Sequence, residues 1–254
     1  MNAKKRYILI SILFITISFF TLLILDKALS IRDQRNLLIE QANSIPKLVS
    51  TTNFVQPERT TLIVIGDSII ANYPLHIFLG HHFYTVNAGI GGNSIVEVGQ
   101  RLKQLHLKKN DPLIIEGGIN DIIGCVIKNG DRQKLLEKIQ TQYAEIVANY
   151  SLKCGKLVLC TITPTTDRFF SPYMEILPYG NFFETDKVNQ LVVEANSIIM
   201  SIALENEIQL IDLHRATSNR CNLIRRYASP DGYHINQFGY EAISREIITQ
   251  LLKN

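Results

Sequence analysis

The sequence predicts a three-layer α/β/α domain with a five-stranded parallel sheet, preceded by an N-terminal transmembrane helix. Three observations predict it. Five short apolar runs recur along the chain, patterns of helical length fall between and after them, and one uncharged stretch lies close to the N-terminus. Short apolar strands separated by helices of ten or more residues suit a parallel sheet covered on both faces. Composition agrees. A chain of 254 residues that is 46% hydrophobic and 19% charged can bury a sizeable core, and 14 Gly with 8 Pro exclude a collagen-like or low-complexity chain.

The first element is the uncharged run from Tyr7 to Leu25. As a helix it spans about 28 Å, close to the hydrocarbon thickness of a bilayer. Lys4, Lys5 and Arg6 precede it, so the positive-inside rule keeps the N-terminus cytoplasmic and sends the rest outward. A cleaved signal peptide is the competing reading, with Ala28 and Ser30 imitating a cleavage site. The run is longer than the usual apolar region of such peptides, and Asp26 and Lys27 sit where cleavage would be prepared. A retained anchor is therefore expected over residues 1–26. Residues 27–58 read as a stalk, because Pro46, the patch from Ser50 to Asn53, and Pro57 interrupt any continuous element. Residues 59–254 form the main domain, expected outside the cytoplasm.

Charge follows the same division. Lys4, Lys5, Arg6 and Lys27 against Asp26 account for the whole formal excess of +3, and the remainder of the chain is balanced. It has no basic run interleaved with aromatics, so nucleic acid is not an expected partner. Cys125, Cys154, Cys160 and Cys221 form no CxxC pair. Disulfides in an exported domain and small buried apolar side chains are both open to them.

Within the main domain the strand-like runs are Thr61–Ile65, Phe83–Asn87, Pro112–Glu116, Lys156–Thr161 and Ile208–Leu213. Helical periodicity covers Ser94–Leu105, Arg132–Tyr150, Asp186–Glu205 and Gln237–Leu252. Ligands of such sheets sit beyond the carboxyl ends of the strands. Three segments fall there: Gly66-Asp67-Ser68, Asn87 to Ser94 with its glycines, and Gly117-Gly118-Ile119-Asn120-Asp121. A fourth, Asp231-Gly232-Tyr233-His234, directly precedes the C-terminal helix.

Together these segments offer the parts of an acyl-transfer site. The Ser68 hydroxyl is a weak nucleophile until a base takes its proton. His234 is the candidate base, and Asp231, three residues earlier, can reach its other ring nitrogen. The oxyanion formed by attack would be met by the N–H groups of Ser68 and Gly92 and by the Asn120 side-chain amide. Ser68 also opens a helix, whose first turn favours negative charge. Asp67 is expected to hydrogen-bond the turn rather than move protons.

In order and spacing over most of residues 60–245, these four segments resemble the blocks of the SGNH hydrolases, also called the GDSL esterase/lipase family. The resemblance implies a flavodoxin-like SGNH fold, with Ser68 as nucleophile, Gly92 and Asn120 as oxyanion donors, His234 as general base and Asp231 as its partner. It implies no metal and no organic cofactor. Ile69 stands where the family's eponymous motif has leucine. The glycine block leaves its active member open between Gly91 and Gly92, and spacing from Asn87 favours Gly92.

Competing motifs fail on inspection. Gly89 to Ser94 lacks the last glycine of a dinucleotide fingerprint, no GxxxxGK[ST] occurs, and Ile70 occupies the second glycine position of a GxSxG elbow. His76, His81 and His82 have no matching acidic or cysteine cluster and read as solvated. The connection from Thr163 to Glu184, rich in proline and aromatics, reads as a substrate-contacting loop. The expected activity is that of a membrane-anchored, extracytoplasmic serine esterase. Its expected substrates are small acyl esters, acylated polysaccharides or lysolipids. O-acyl transfer onto an exported polysaccharide and a non-catalytic surface binding module are the alternatives.

Overall fold

The computed structural model describes residues 60–167 and 184–252. The expected transmembrane helix, the stalk, and residues 168–183 of the aromatic connection lie outside the described residues. Among the described residues no helix is long and apolar enough to cross a membrane.

The chain enters at β1 (Thr61–Gly66) and passes through two short helices, α1 (Ser68–Ala71) and α2 (Leu75–Leu79), to β2 (Tyr84–Gly89). Helix α3 (Ile95–Leu102) leads to β3 (Pro112–Ile115), which is followed by α4 (Ile119–Ile127) and α5 (Arg132–Tyr150). Strand β4 (Lys156–Cys160), α6 (Thr185–Glu205), β5 (Gln209–Ile211) and α7 (Leu213–Thr217) come next. A two-stranded ribbon of β6 (Ser218–Asn219) and β7 (Asn222–Leu223) precedes the last helix, α8 (Gln237–Leu252).

The sheet has the order β2-β1-β3-β4-β5, and every pairing in it is parallel. This is the expected five-stranded parallel sheet. Each central strand feeds two cores by strict alternation. Ile63 and Ile65 of β1, Leu113 and Ile115 of β3, and Leu157 and Leu159 of β4 pack with α3, α4, α5 and α6 on one face. Leu62 and Val64, Ile114, and Val158 and Cys160 pack with α1, α2 and α8 on the other. With both faces covered, these strands have no polar side to show, which is why they read as continuous apolar runs.

The strand order reverses between β1 and β3, so a crevice opens beyond their carboxyl ends. Gly66 is followed there by Asp67 and Ser68, and Ile115 is followed by Glu116 to Asn120. The structure also departs from the sequence pattern at several element ends. Strand β2 runs on to Gly89 because Gly66 pairs with Gly89 at the end of the ladder. Strand β5 stops at Ile211 because Asp212 caps α7, accepting from the Arg215 N–H at 2.9 Å. Helices α2, α4 and α7 and the β6–β7 ribbon were not expected; all but α4 are of five residues or fewer, too short to impose a period. All four cysteines are free thiols: Cys154 and Cys160 are buried, Cys125 is half-buried and Cys221 is exposed.

Candidate active site

Ser68 sits at the first position of α1, immediately after Asp67. The Asp67 carboxylate is the N-cap, its Oδ1 accepting from the Ile69 N–H at 3.0 Å, a cap of a kind worth about 1 kcal/mol. Ile69 and Ile70 are buried in the sheet core, so the turn is mounted on packed side chains. Three further bonds hold it. Tyr240 of α8 donates its hydroxyl hydrogen to the Ile69 carbonyl at 2.9 Å, and Asn87 donates to the carbonyls of Ile70 at 2.7 Å and Tyr73 at 3.0 Å. The expected role of Asp67 as a turn residue is what the structure has.

The glycine block lies against this turn. A Cβ built on Gly91 would stand 3.8 Å from the Ser68 Cβ, while Gly92 has open space around it and a left-handed φ of +81°. Gly92 is thus a position that side chains rarely adopt. Ser94 then starts α3 with a capping box, its hydroxyl accepting from the Glu97 N–H while the Glu97 carboxylate accepts from the Ser94 N–H. Asn120, on the first turn of α4, donates from Nδ2 to the Asn93 carbonyl at 3.0 Å. Gly118 makes this entry possible with a φ of +118°. The Asn120 amide nitrogen carries two hydrogens, and the second has no acceptor among the described residues. The structure therefore brings Ser68, the glycine block and Asn120 together.

Asp231 and His234 form a closed local unit. The Asp231 Oδ2 is 2.8 Å from His234 Nδ1, and its Oδ1 accepts from the backbone N–H of Tyr233 at 3.1 Å and of His234 at 2.9 Å. Burial alone would raise the Asp231 carboxyl, but these hydrogen bonds outweigh it and hold the group below the usual range. An ionised carboxylate can only accept, so the hydrogen resides on Nδ1 and leaves the Nε2 lone pair free to take a proton. No hydrogen bond joins His234 to Ser68 among the described residues. A groove of about 540 Å³ between α3 and α5, lined by Gln100, Gln142 and Asn149 among others, holds none of the predicted site residues.

Four residues that the sequence reading passed over organise the site. Arg101 of α3 donates to Asn93 Oδ1 at 2.7 Å, to the Gly66 carbonyl at 2.8 Å and to the Ala88 carbonyl, so one guanidinium ties the ends of β1 and β2 to the glycine block. Asp121 accepts from the Ile95 N–H at 2.8 Å and pairs with Lys138 at 2.8 Å, docking α3 onto α4. Tyr240 links α8 to the Ser68 turn. Glu116 is fully buried directly beyond β3. Two of them carried a signal in the sequence: Asp121 closes the third strand-end segment, and Glu116 is an acid closing an otherwise apolar strand at the centre of the sheet.

A capped serine at the end of the first strand, an amide hydrogen of Asn120 with no acceptor among the described residues, and a carboxylate-oriented histidine are the parts of a hydrolase of the strand-end α/β type. Family comparison agrees: residues 64–242 match the GDSL-like lipase/acylhydrolase family. The chain belongs to that family, and it is an ester-hydrolysing serine hydrolase. No curated protein sequence matches the chain. Solved structures share its fold. One from Streptococcus pneumonia, described as a platelet activating factor, has a TM-score of 0.58 at 21% identity, covering 88% of this chain and 99% of that one. A GDSL-like lipase from Bacteroides thetaiotaomicron has a TM-score of 0.56 at 18% identity, covering 82% and 96%. An acetylxylan esterase from Geobacillus stearothermophilus has a TM-score of 0.54 at 16% identity, covering 77% and 95%.

Proposed function

We propose that this hydrolase is a membrane-anchored, extracytoplasmic esterase that cleaves acyl esters of an exported polysaccharide through an acyl-Ser68 intermediate. In this mechanism Ser68 Oγ attacks the ester carbonyl while His234 Nε2 takes its proton. Asp231 keeps the imidazole oriented and stabilises the imidazolium that forms. The carbonyl oxygen becomes an oxyanion, met by the N–H groups of Ser68 and Gly92 and by the second Nδ2 hydrogen of Asn120. The imidazolium gives its proton to the departing alkoxide, leaving the acyl group on Ser68. Water then attacks that ester, His234 takes the water's proton and returns it to Ser68 Oγ, and the carboxylic acid leaves.

The observation that carries the assignment is the 2.8 Å contact between Asp231 and His234. Such a pairing orients a base and has no evident use in a domain that only binds. The anchor rests on the uncharged run Tyr7–Leu25 and its basic flank, with 1–26 as anchor, 27–58 as stalk and 59–254 as catalytic domain. The polysaccharide substrate is supported by that location and by the likeness of fold to an acetylxylan esterase.

A fluorophosphonate probe tests the nucleophile: it should label the full chain at Ser68 and leave Ser68→Ala unlabelled. Labelling elsewhere, or none, would remove Ser68 from the role. A panel of esters from acetyl to palmitoyl, run beside acetylated oligosaccharides and lysophospholipids, tests the substrate. Preference for long chains or lysolipids would overturn the polysaccharide assignment.

A further inference from the structure

Beneath the nucleophile turn lie two carboxyl groups. Asp67 and Glu116 are both wholly buried. They follow neighbouring strands in register, since Ile65 pairs with Ile115 and the Glu116 N–H donates to the Ile65 carbonyl at 3.0 Å. A Cβ placed on Gly66 would meet the Glu116 carboxylate oxygen Oε2 at 3.0 Å, so the absence of a side chain there lets this group lie under the turn. The two carboxyls lie close enough for each to act on the other's ionisation. Asp67 Oδ1 receives the Ile69 N–H. Asp67 Oδ2 and both Glu116 oxygens accept from no N–H or hydroxyl donor among the described residues.

Two carboxylates buried this deeply side by side cannot both stay ionised; a proton held between them removes the repulsion. We propose that Glu116 is a positioning residue for the nucleophile: it keeps a proton at working pH, donates it to Asp67, and so holds the carboxylate that caps the Ser68 turn. The proton resides on Glu116 because the Ile69 N–H stabilises charge on Asp67 at 3.0 Å, while burial and the neighbouring Asp67 charge weigh most heavily against ionising Glu116.

The electrostatics point the same way. Burial, and then the neighbouring Asp67 charge, push the Glu116 carboxyl well above its ordinary range. Burial also lifts Asp67, to about 6, against the pull of the Ile69 N–H, the Glu116 hydrogen bond and His234. The other titratable groups facing the pair come from every surrounding element. Tyr143 of α5, Cys160 of β4 and Tyr240 of α8 are all raised by burial and remain neutral. Asp121 of α4 is paired with Lys138. His234 is the nearby group able to carry opposite charge. Above about pH 6 the pair thus holds one proton, and its loss at higher pH places two like charges under Ser68.

The sign of the linkage follows. A carboxyl raised in the folded state holds a proton that the unfolded chain has released. Stability therefore falls as pH rises from the ordinary carboxyl range toward the raised value.

The test uses full-length protein in detergent, with wild type, Glu116→Gln and Glu116→Ala compared across pH 5 to 10. Three quantities are read: kcat and KM on a p-nitrophenyl ester, the rate of fluorophosphonate labelling, and Tm. Glu116→Gln keeps a donor that cannot ionise. It should hold kcat within about threefold at neutral pH, lose the alkaline fall seen in wild type, and show a flatter decline of Tm with pH. Glu116→Ala should lose roughly 10–100-fold in kcat and labelling rate with KM nearly unchanged, as a displaced nucleophile would. A Gln variant that keeps the wild-type alkaline limb and Tm slope would overturn the proposal. So would a folded Gln variant as slow as Glu116→Ala, or an Ala variant with wild-type kcat. Failure of the Ser68 assignment is a separate result, since it would abolish labelling of wild type while leaving the Tm slopes to judge the pair.

Discussion

Replacing Asn120 by alanine separates two jobs that one side chain performs. One Nδ2 hydrogen is bonded to the Asn93 carbonyl at 3.0 Å, which ties α4 to the glycine block. A neutral bond of that kind contributes about 1 kcal/mol to stability. The other hydrogen is assigned to the oxyanion. Loss of one such donor typically costs on the order of 10²–10³ in kcat, or about 3–4 kcal/mol, because the interaction is made only as charge develops. Asn120→Ala is therefore expected to lower Tm by only a few degrees, to reduce kcat at least 100-fold, and to leave KM nearly alone. Asn120→Asp should be worse on both counts. Its carboxylate would face the Asn93 carbonyl without a donor and place negative charge beside the oxyanion. Steady-state kinetics normalised to active protein, with thermal melts on the same preparations, make the measurement. A destabilised Asn120→Ala enzyme with normal kcat per folded molecule would refute the donor role and leave Asn120 as a scaffold residue.

The remaining expectations can be stated briefly. Ser68→Ala and His234→Ala should each remove nearly all turnover, and the double variant should be little slower, since the two act as one unit; additive losses would sink that pairing. Asp231→Asn should retain more activity than His234→Ala. Because the Asp231 carboxyl is held below its usual range, its contribution to stability is present at neutral pH and lost as pH falls through the folded-state value. Asp231→Asn should therefore flatten the acid end of the Tm–pH curve, and an unchanged acid limb would count against the hydrogen bonds described. Arg101→Met removes a charged donor from three acceptors while keeping the stem, and calorimetry should find a loss of about 2–3 kcal/mol; a wild-type Tm would show that the β1 and β2 ends need no tie. Finally, the full chain should stay in the membrane fraction through a high-salt wash and leave only with detergent. Recovery of a soluble product beginning near Ile31 would instead establish cleavage.

Much of this architecture was legible because burial on both faces of a parallel sheet makes strands nearly pure in composition. Thr61–Gly66, Pro112–Ile115 and Lys156–Cys160 read as apolar runs for that reason. The edge strand β2 was placed only approximately, since Tyr84 and Val86 are exposed and the run is less pure. Helices α2 and α7 were missed for a different cause: five residues make little more than one turn, and no amphipathic period can show in so few. The site divides the same way. Ser68, Asn120, Asp231 and His234 could be singled out because each stands in a short local motif just past an element end or before a helix. Arg101 was not, because it reads as an ordinary cation on the exposed side of a helix. Its meaning depends on three carbonyl and amide oxygens that come from Gly66, Ala88 and Asn93. Contacts between segments distant in sequence leave no local pattern to read.

The two halves of the site are supported by different physics. The nucleophile half is mounted on the core: Ile65 before the turn and Ile69 and Ile70 within it are all nearly inaccessible, so displacing Ser68 means disturbing packed side chains. The base half is a loop closed on itself. The Ser229 N–H donates to the His234 carbonyl at 2.8 Å, Ala228 bridges Ile235, and the Asn236 side chain donates to the carbonyls of Arg226 and Ala228 at 2.9 Å each. One tie leaves the loop: its Gly232 carbonyl accepts from the Thr166 N–H at 2.7 Å, in the segment after β4. Another lies in the helix the loop runs into, where the Tyr240 hydroxyl bonds to the Ile69 carbonyl and its ring stacks on Tyr73 at 5.0 Å. Packing positions Ser68, the loop's hydrogen bonds orient His234, and Thr166 and a buried tyrosine tie the two halves to the same frame. Core substitutions around Ile69 and Tyr73 should therefore reach the chemistry through the same contacts by which they reach stability.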